Sequence, residues 1–254
     1  MTSLEIRAVQ FRNRLNRIFP SFKKDRFVSV IITAAGSGTR LGGVSKPFFS
    51  LCGKPCLYYS LIAFEKCDKV REIIVTARAE EVDRIYQLCH QYRISKLSAV
   101  VLGGATRQES VENGFLKVHP KADFVAIHDA ARPLITTKQI ETLLTQAFRF
   151  GASTAAKKMI ETVKKSDQKG MILQTVPRED LYTVQTPQIF MCDLYRASLA
   201  LAKRDKISVT DDCSLAEHAG FPVKLVELGS CNLKLTTLDD IQFINRILEE
   251  KNDG

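Results

Sequence analysis

Residues 27–43, FVSVIITAAGSGTRLGG, decide the fold, because an apolar run leads directly into a glycine-rich segment. The near-continuous apolar run over 27–33 predicts a strand that is covered on both faces of its sheet. A glycine-rich turn after the first strand of such a sheet commonly holds phosphate on its backbone N–H groups. Leu41 stands where the dinucleotide fingerprint needs its third glycine, and the G-K-[ST] ending of a P-loop is missing. By itself the segment fits either a phosphate-binding turn of another kind or only a tight turn.

Short apolar runs alternate with longer segments of helical period along the rest of the chain. The further runs are EIIVTA (72–77), SAVVLG (98–103) and DFVAIHD (123–129). Apolar residues at helical spacing form two stripes, Ile140, Leu143, Leu144, Ala147 and Phe148, and then Ile241, Ile244, Ile247 and Leu248. We therefore expect an α/β fold of three layers, with a mostly parallel sheet of Rossmann-like nucleotide-binding topology.

One segment, 157–185, breaks this alternation. Its first part, KKMIETVKKSDQKGMILQTV, predicts two short strands around a polar turn, and hence a projecting β-arm. From the pattern alone, the arm either caps an edge of the sheet or reaches a second subunit. We divide the chain into a basic N-terminal extension, 1–26, and one domain, 27–254, because a chain of this length can bury one large core.

The formal net charge of +9 raises the question of nucleic acid binding. More than half of that charge lies in residues 1–27, which hold seven basic residues against Glu5 and Asp25. No face of interleaved basic and aromatic residues is found, so nucleic acid is not an expected partner. No apolar run approaches the roughly 18 residues that cross a membrane, so no membrane partner is expected either.

The number and spacing of the cysteines indicate the redox state of the cellular compartment. There are seven, with no C-x-x-C pair, and most lie among apolar neighbours, so we interpret them as reduced, buried thiols. This pattern favours a reducing, cytoplasmic location. Residues 1–20 are amphipathic, rich in arginine and nearly free of acidic residues, which leaves a transit segment for a plastid-type organelle as the alternative.

The glycine-rich segment also contains two cations, Arg40 and Lys46. Two fixed cations beside a backbone anion cradle can surround a triphosphate. The pattern G-x-G-T-R-L-G-G-x-x-K over 36–46 is the signature loop of nucleotidyltransferases that use nucleoside triphosphates. It predicts a triphosphate site rather than a plain turn.

Over about residues 27–250 the chain resembles the 2-C-methyl-D-erythritol 4-phosphate cytidylyltransferases of the non-mevalonate isoprenoid pathway. The resemblance rests on motifs in order after AAGSGTRLGG, namely GGATRQES (103–110), HDAARP (128–133), ETVK (161–164), TVPRED (175–180), QTPQIF (185–190), TDDCSLAEHAG (210–220) and NLKLTT (232–237). It implies in-line attack of a sugar-alcohol phosphate on the α-phosphorus of CTP, with magnesium as cofactor. It also implies a homodimer in which the arm delivers residues to the partner's site.

The resemblance further implies roles for particular residues. The catalytic residues, expected to stabilise the negative charge of the reacting phosphates, are Arg40, Lys46, Arg178 and Lys234. Those on the nucleotide side are Ala34, Ala35, Gly36, Gly38, Gly104, Arg107 and Ser110. The residues expected to bind the sugar-alcohol phosphate are Arg132, Thr162, Arg178 and Lys234. Asp129 would bind both the metal and a substrate hydroxyl, because a carboxylate at the end of a strand reaches the crevice beyond the strand ends.

Two departures and two alternatives accompany this interpretation. Ala105 stands where many family members have aspartate, and SKPFF (45–49) stands where the family usually has proline, lysine and glutamine. A ribitol-5-phosphate cytidylyltransferase is the nearest alternative, which Ala131 of HDAARP and the TDDCSLAEHAG segment disfavour. An inactive binding or assembly relative is the alternative from another class. The joint presence of five charged residues argues against it: Arg40, Lys46, Asp129, Arg178 and Lys234.

Overall fold

The computed structural model describes residues 25–36, 45–229 and 232–252. Its strands are β1 (Val28–Thr33), β2 (Ser50–Leu51), β3 (Lys54–Pro55), β4 (Val70–Ala77), β5 (Leu97–Leu102), β6 (Phe124–Asp129), β7 (Ala152–Lys158), β8 (Val163–Ser166), β9 (Ile172–Val176), β10 (Tyr182–Met191) and β11 (Lys224–Glu227). Its α-helices are α1 (Cys56–Glu65), α2 (Val82–Gln91), α3 (Arg107–Phe115), α4 (Thr137–Phe150), α5 (Cys192–Arg204), α6 (Asp212–His218) and α7 (Leu238–Asn252). Short 3-10 turns cover Lys46–Phe48 and Ala79–Glu81.

Seven of these strands form the central sheet, in the order β11-β7-β10-β6-β1-β4-β5. The four apolar runs recognised in the sequence are β1, β4, β5 and β6, and they pair in parallel as neighbours. β10 runs antiparallel to both β6 and β7, whereas β11 is parallel to β7. The expected mostly parallel α/β sheet is confirmed. Since parallel strands end on the same edge, the segments after β1, β4, β5 and β6 all come together there.

Helices cover both faces of the sheet and complete the three layers. Alternate residues of β1 enter different clusters, because side chains of a strand point to opposite faces. Val30 and Ile32 pack in one cluster with α1, α2 and α4, whereas Ile31 packs in the other with α3, α5 and α6. A third, smaller cluster joins α7 to Leu51 and Leu235. β1 is therefore buried on both faces, as its continuous apolar run predicts.

Side-chain caps from nearby residues begin several of the helices. Thr136 accepts a hydrogen bond from the N–H of Gln139, and the Gln139 side chain accepts one from Thr136, so a full capping box begins α4. Thr106 caps α3 by accepting a hydrogen bond from the N–H of Glu109, without the return bond of a full box. Asp240 accepts from the N–H of Thr237 at 2.7 Å where α7 begins.

The predicted β-arm is a two-stranded antiparallel hairpin of β8 and β9. It extends from β7 and β10, which still pair in the central sheet where Lys158 lies opposite Tyr182. Residues 157–158 and 182–185 of the predicted segment thus belong to the central sheet, and the hairpin lies between them. Four of its apolar side chains are 60–67% exposed: Ile160, Met171, Ile172 and Leu173.

Six cysteines lie within the described residues, and all six are unpaired thiols: Cys52, Cys56, Cys67, Cys89, Cys192 and Cys213. Burial raises the pKa of Cys56, Cys89 and Cys192 to about 12, so these thiols stay protonated and act as small apolar side chains. In the part of the chain that the structure describes, no helix is long and apolar enough to span a membrane.

Candidate active site

The carboxyl ends of β1, β4 and β5 form one wall of a cleft. The N–H of Ala34, after β1, donates to the Thr76 carbonyl at 2.8 Å, and the N–H of Gly103, after β5, donates to the Ala77 carbonyl at 2.9 Å. The cleft is lined by Ala35, Ala77, Arg78, Ala79, Leu102, Gly103 and Gly104. Small residues leave the backbone accessible, which suits a planar ligand lying across the strand ends.

The glycine pair after β5 is required by close packing. A Cβ on Gly103 would lie 2.4 Å from the Cβ of Ala35, so only glycine lets these two strand ends approach. Ser110 of α3 accepts a hydrogen bond from the N–H of Gly104 at 3.0 Å and donates to the Thr106 carbonyl at 2.9 Å. The predicted nucleotide-side residues Ala35, Gly104 and Ser110 therefore lie together.

A glutamate lies close to Ala105, the position at which many family members have aspartate. The N–H of Ala105 donates to Oε2 of Glu109 at 2.7 Å. A carboxylate is thus present at this rim of the cleft, although it comes from the first turn of α3 and contacts backbone.

Asp129, at the end of β6, is the centre of a cationic cluster. Its Oδ2 lies 2.6 Å from Nζ of Lys234 and 4.0 Å from Nε of Arg132, and its Oδ1 lies 3.4 Å from Nε of Arg107. Thr33, at the end of β1, donates to Oδ1 at 3.3 Å. Lys234 and Arg107 are 105 and 22 residues away in the chain, so only the fold brings these charges together.

The cluster fixes the ionisation of the carboxyl group. Burial would raise the pKa of Asp129, but the charges of Lys234 and Arg107 and the hydrogen bond from Lys234 outweigh burial and lower it. Burial lowers the pKa of Arg132, and this effect outweighs the attraction of Asp129. Three cations around one carboxylate leave an excess of positive charge, which suits a site that must gather phosphate groups.

Arg107 has a second acidic partner that sequence reasoning missed. Its NH1 donates to Oδ2 of Asp212 at 2.8 Å, and the hydroxyl of Tyr195 donates to Oδ1 of Asp212 at 2.7 Å. Asp212 is 1% exposed. The motif TDDCSLAEHAG contains Asp212, but nothing in its spacing shows that the side chain meets Arg107. Arg107, expected on the nucleotide side, thus spans from Asp129 to Asp212.

Asn232 and Thr186 complete the surroundings of Asp129 and were also missed. The side-chain amide of Asn232 donates to the Thr186 carbonyl at 2.9 Å, and Arg132 donates to the Asn232 carbonyl at 2.8 Å. The N–H of Asp129 donates to Oγ1 of Thr186 at 3.0 Å. These bonds tie the segment after β6 to β10 and to the segment that carries Lys234.

Lys46 is the first residue of the 3-10 turn Lys46–Phe48, and Pro47 occupies the second position of that turn. The charge of Lys46 lowers the pKa of the Cys56 thiol, although burial outweighs this effect. The Cys56 thiol donates a hydrogen bond to the Ala130 carbonyl at 3.3 Å. The charge of Lys46 also lowers the pKa of Asp240. Burial would raise that pKa, but hydrogen bonds from the Thr237 and Thr236 backbone act together with Lys46 and lower it. The turn therefore lies within electrostatic reach of the segment after β6.

The remaining predicted residues lie apart from this cluster or outside the described residues. Thr162 and Arg178 are exposed on the arm, where Arg178 donates to the Ile160 carbonyl. Within the described residues, no hydrogen bond or ion pair joins Thr162 or Arg178 to Asp129. Gly36 is exposed at the end of the segment after β1, whereas Gly38 and Arg40 lie outside the described residues.

The described residues offer few ligands to the expected metal, magnesium. Among residues 25–36, 45–229 and 232–252, no three His, Cys, Asp or Glu side chains cluster closely enough to hold a metal ion. Magnesium commonly uses one or two carboxylates and takes its other ligands from water and substrate phosphates. A single carboxylate such as Asp129 is compatible with that mode of binding, in which the metal would share it with Lys234 and Arg107.

The chain is similar to known proteins over most of its length. A family model described as 2-C-methyl-D-erythritol 4-phosphate cytidylyltransferase matches residues 28–250. A protein of that name from Halalkalibacterium halodurans is 39% identical over 224 residues, which cover 88% of this chain and 97% of the relative. One from Clostridium botulinum is 38% identical over 223 residues, covering 87% and 97%.

Solved structures show the same likeness. The 4-diphosphocytidyl-2C-methyl-D-erythritol synthase of Anaerococcus prevotii superposes with a TM-score of 0.80 at 30% identity, covering 89% of this chain and 97% of that one. The 2-C-methyl-D-erythritol 4-phosphate cytidylyltransferase of Thermus thermophilus gives 0.73 at 29% identity, covering 87% and 98%. By its sequence, its fold and the placement of its motifs, the chain belongs to the 2-C-methyl-D-erythritol 4-phosphate cytidylyltransferase family.

Proposed function

We propose that the protein transfers CMP from CTP to 2-C-methyl-D-erythritol 4-phosphate, giving 4-diphosphocytidyl-2-C-methyl-D-erythritol and pyrophosphate. The observation that carries the proposal is the cationic cluster at Asp129, adjoining a cleft of small residues at the strand ends. The cleft suits a nucleotide base, and the cluster suits the phosphate groups that must meet. Family membership supports the same reaction.

The reaction needs charge compensation more than proton transfer. A phosphate oxygen of the sugar alcohol forms a bond to the α-phosphorus of CTP, and the bond from that phosphorus to the bridging oxygen breaks, so pyrophosphate leaves. The attacking phosphate is already anionic near neutral pH, so no general base is required. Lys234, Arg132 and Arg107 offset the repulsion between the reactants, and Lys46 stabilises charge that grows on the transferred and leaving phosphates.

Asp129 would be the protein ligand of magnesium, which when bound would supply charge neutralisation to the triphosphate. A single carboxylate is sufficient if the triphosphate provides further oxygen ligands. Nζ of Lys234 lies 2.6 Å from Oδ2 of Asp129, and its charge helps to keep this carboxylate ionised before any ligand binds.

A pyrophosphate-release assay with crossed substrates tests the function. CTP, UTP and ATP are each paired with methylerythritol phosphate and with ribitol 5-phosphate, with magnesium present. We expect CTP with methylerythritol phosphate to be the best pair by a wide margin. Preference for ribitol 5-phosphate would contradict the substrate assignment, and absence of pyrophosphate in every pair would favour an inactive relative.

We also propose that the working unit is a homodimer in which the arm serves the partner's site. Four arm side chains are 60–67% exposed, namely Ile160, Met171, Ile172 and Leu173, and an isolated hairpin is marginally stable in water. A partner surface would cover them. Arg178 and Thr162 are exposed on the same arm, which suits delivery to another subunit.

Subunit mixing tests the arm's role. Arg178→Ala and Lys46→Ala variants, each nearly inactive alone, are mixed in equal amounts and allowed to exchange. If Arg178 acts in trans, each mixed dimer has one intact site, so about a quarter of wild-type activity returns by the statistics of a closed two-fold dimer. No recovery after verified exchange would show that the arm serves its own subunit. A monomeric elution profile would refute the dimer.

A further inference from the structure

The turn that carries Lys46 is held on both sides by the segment that begins α2. The hydroxyl of Ser45, directly before Lys46, donates to Oε1 of Glu81. The guanidinium of Arg84 lies 3.9 Å from the centre of the Phe48 ring, a cation–π contact. Ser45 and Phe48 belong to SKPFF, the stretch in which this chain departs from the usual family sequence.

Glu81 is a rigid anchor for Ser45. Its side chain is 2% exposed, and its Oε1 also accepts from NH2 of Arg78 at 2.5 Å. NH1 of Arg78 lies 3.3 Å from Glu80, so the guanidinium is fixed from two directions. Arg78 in turn lines the cleft beside Gly103 and Gly104. The cluster of Ser45, Arg78 and Glu81 thus connects the cleft wall to the turn with Lys46.

The turn has little stability of its own. Its two backbone hydrogen bonds run from the Phe48 N–H to Ser45 at 3.1 Å and from the Phe49 N–H to Lys46 at 3.2 Å. One isolated 3-10 turn fixes several dihedral angles for few hydrogen bonds. The position of Lys46 therefore depends on tertiary contacts, among them those of Ser45 with Glu81 and of Phe48 with Arg84. Misplacement of a catalytic group by about 1 Å can cost about 100-fold in rate.

We propose that Ser45 and Glu81 are positioning residues for Lys46. The inference rests on the proposed function. Arg84 supports the same turn through Phe48, at an exposed position. Neither Ser45 nor Glu81 is required to touch CTP, so their effect passes through Lys46.

A double-mutant cycle tests the inference on the full chain with CTP and methylerythritol phosphate. Ser45→Ala removes the link without disturbing the buried carboxylate, and Glu81→Gln removes its charge. We expect each to lower kcat about tenfold with KM for CTP changed less than about twofold, because the loss concerns the transition state. In a Lys46→Ala background the same changes should cost less than about twofold, since residues that act through one group are not additive.

Two controls accompany the cycle. Ser45→Thr keeps the hydroxyl and should keep near-wild-type kcat. Asp83→Asn removes an exposed carboxylate two residues from Glu81 and should leave kcat unchanged. Wild-type kcat in both Ser45→Ala and Glu81→Gln, or equal losses of kcat with and without Lys46, would refute this inference and leave the proposed function standing. A wild type inactive with this substrate pair would refute the proposed function and this inference with it.

Discussion

His128 makes the stability of the protein depend on pH in a direction that the structure determines. The ring is 0% exposed and lies between two polar partners. One ring nitrogen, Nε2, is 3.3 Å from the Arg132 carbonyl, which can only accept, so Nε2 carries the proton. Nδ1 then accepts from the hydroxyl of Thr186, also at 3.3 Å. The neutral imidazole satisfies both contacts.

Burial lowers the pKa of His128 to about 4, with the charges of Arg132 and Lys234 acting in the same direction and Asp129 opposing them. The unfolded chain, with a histidine pKa of about 6.5, binds more protons than the folded chain between these two values. Stability is therefore complete above about pH 6.5 and falls as the pH decreases toward about 4. Between pH 7 and pH 5 the loss from this one group is about 2 kcal/mol.

Urea unfolding at pH 7 and pH 5, at one fixed protein concentration, measures this loss. The wild type should lose about 2 kcal/mol more than a His128→Gln variant, because all other titrating groups are common to both. A His90→Gln variant, which removes an exposed imidazole, is the matched control and should resemble the wild type. Equal pH dependence in the wild type and His128→Gln would refute the burial argument.

Three further outcomes are expected. Lys46→Ala should lower kcat at least about 100-fold with a smaller effect on CTP binding, and a change in KM alone would make Lys46 a ground-state binder. Asp212→Ala should lower the free energy of unfolding by about 3 kcal/mol in urea titrations, because Arg107 loses the nearer of its two buried carboxylate partners and the buried Tyr195 hydroxyl loses its acceptor. An exposed acidic control, Asp193→Ala, should cost little. Deleting residues 1–22 should leave kcat/KM within about tenfold of the full chain, since the family match begins at residue 28.

The sequence by itself determined the fold class and the order of the motifs. Continuous apolar runs are sufficient to predict β1, β4, β5 and β6, because strands covered on both faces have no polar side to maintain. Capping pairs such as Thr136 with Gln139 have a spacing that is visible in the sequence, since the bonds they form join neighbours in the chain. Local interactions of this kind are encoded in spacing alone. The signature loop and HDAARP likewise indicated a nucleotidyltransferase before any contact was known.

The tertiary structure decided which charges meet. Lys234 reaches Asp129 across 105 residues of chain, and Arg107 bridges Asp129 to Asp212. No spacing rule connects these positions, because their distance is set by strand order in the sheet. The anchoring of Ser45 by Glu81 is of the same kind: the sequence showed only that SKPFF departs from its family. Side chains far apart in the chain become neighbours through the order in which parallel strands assemble, and that order is a property of the packed core rather than of any local segment.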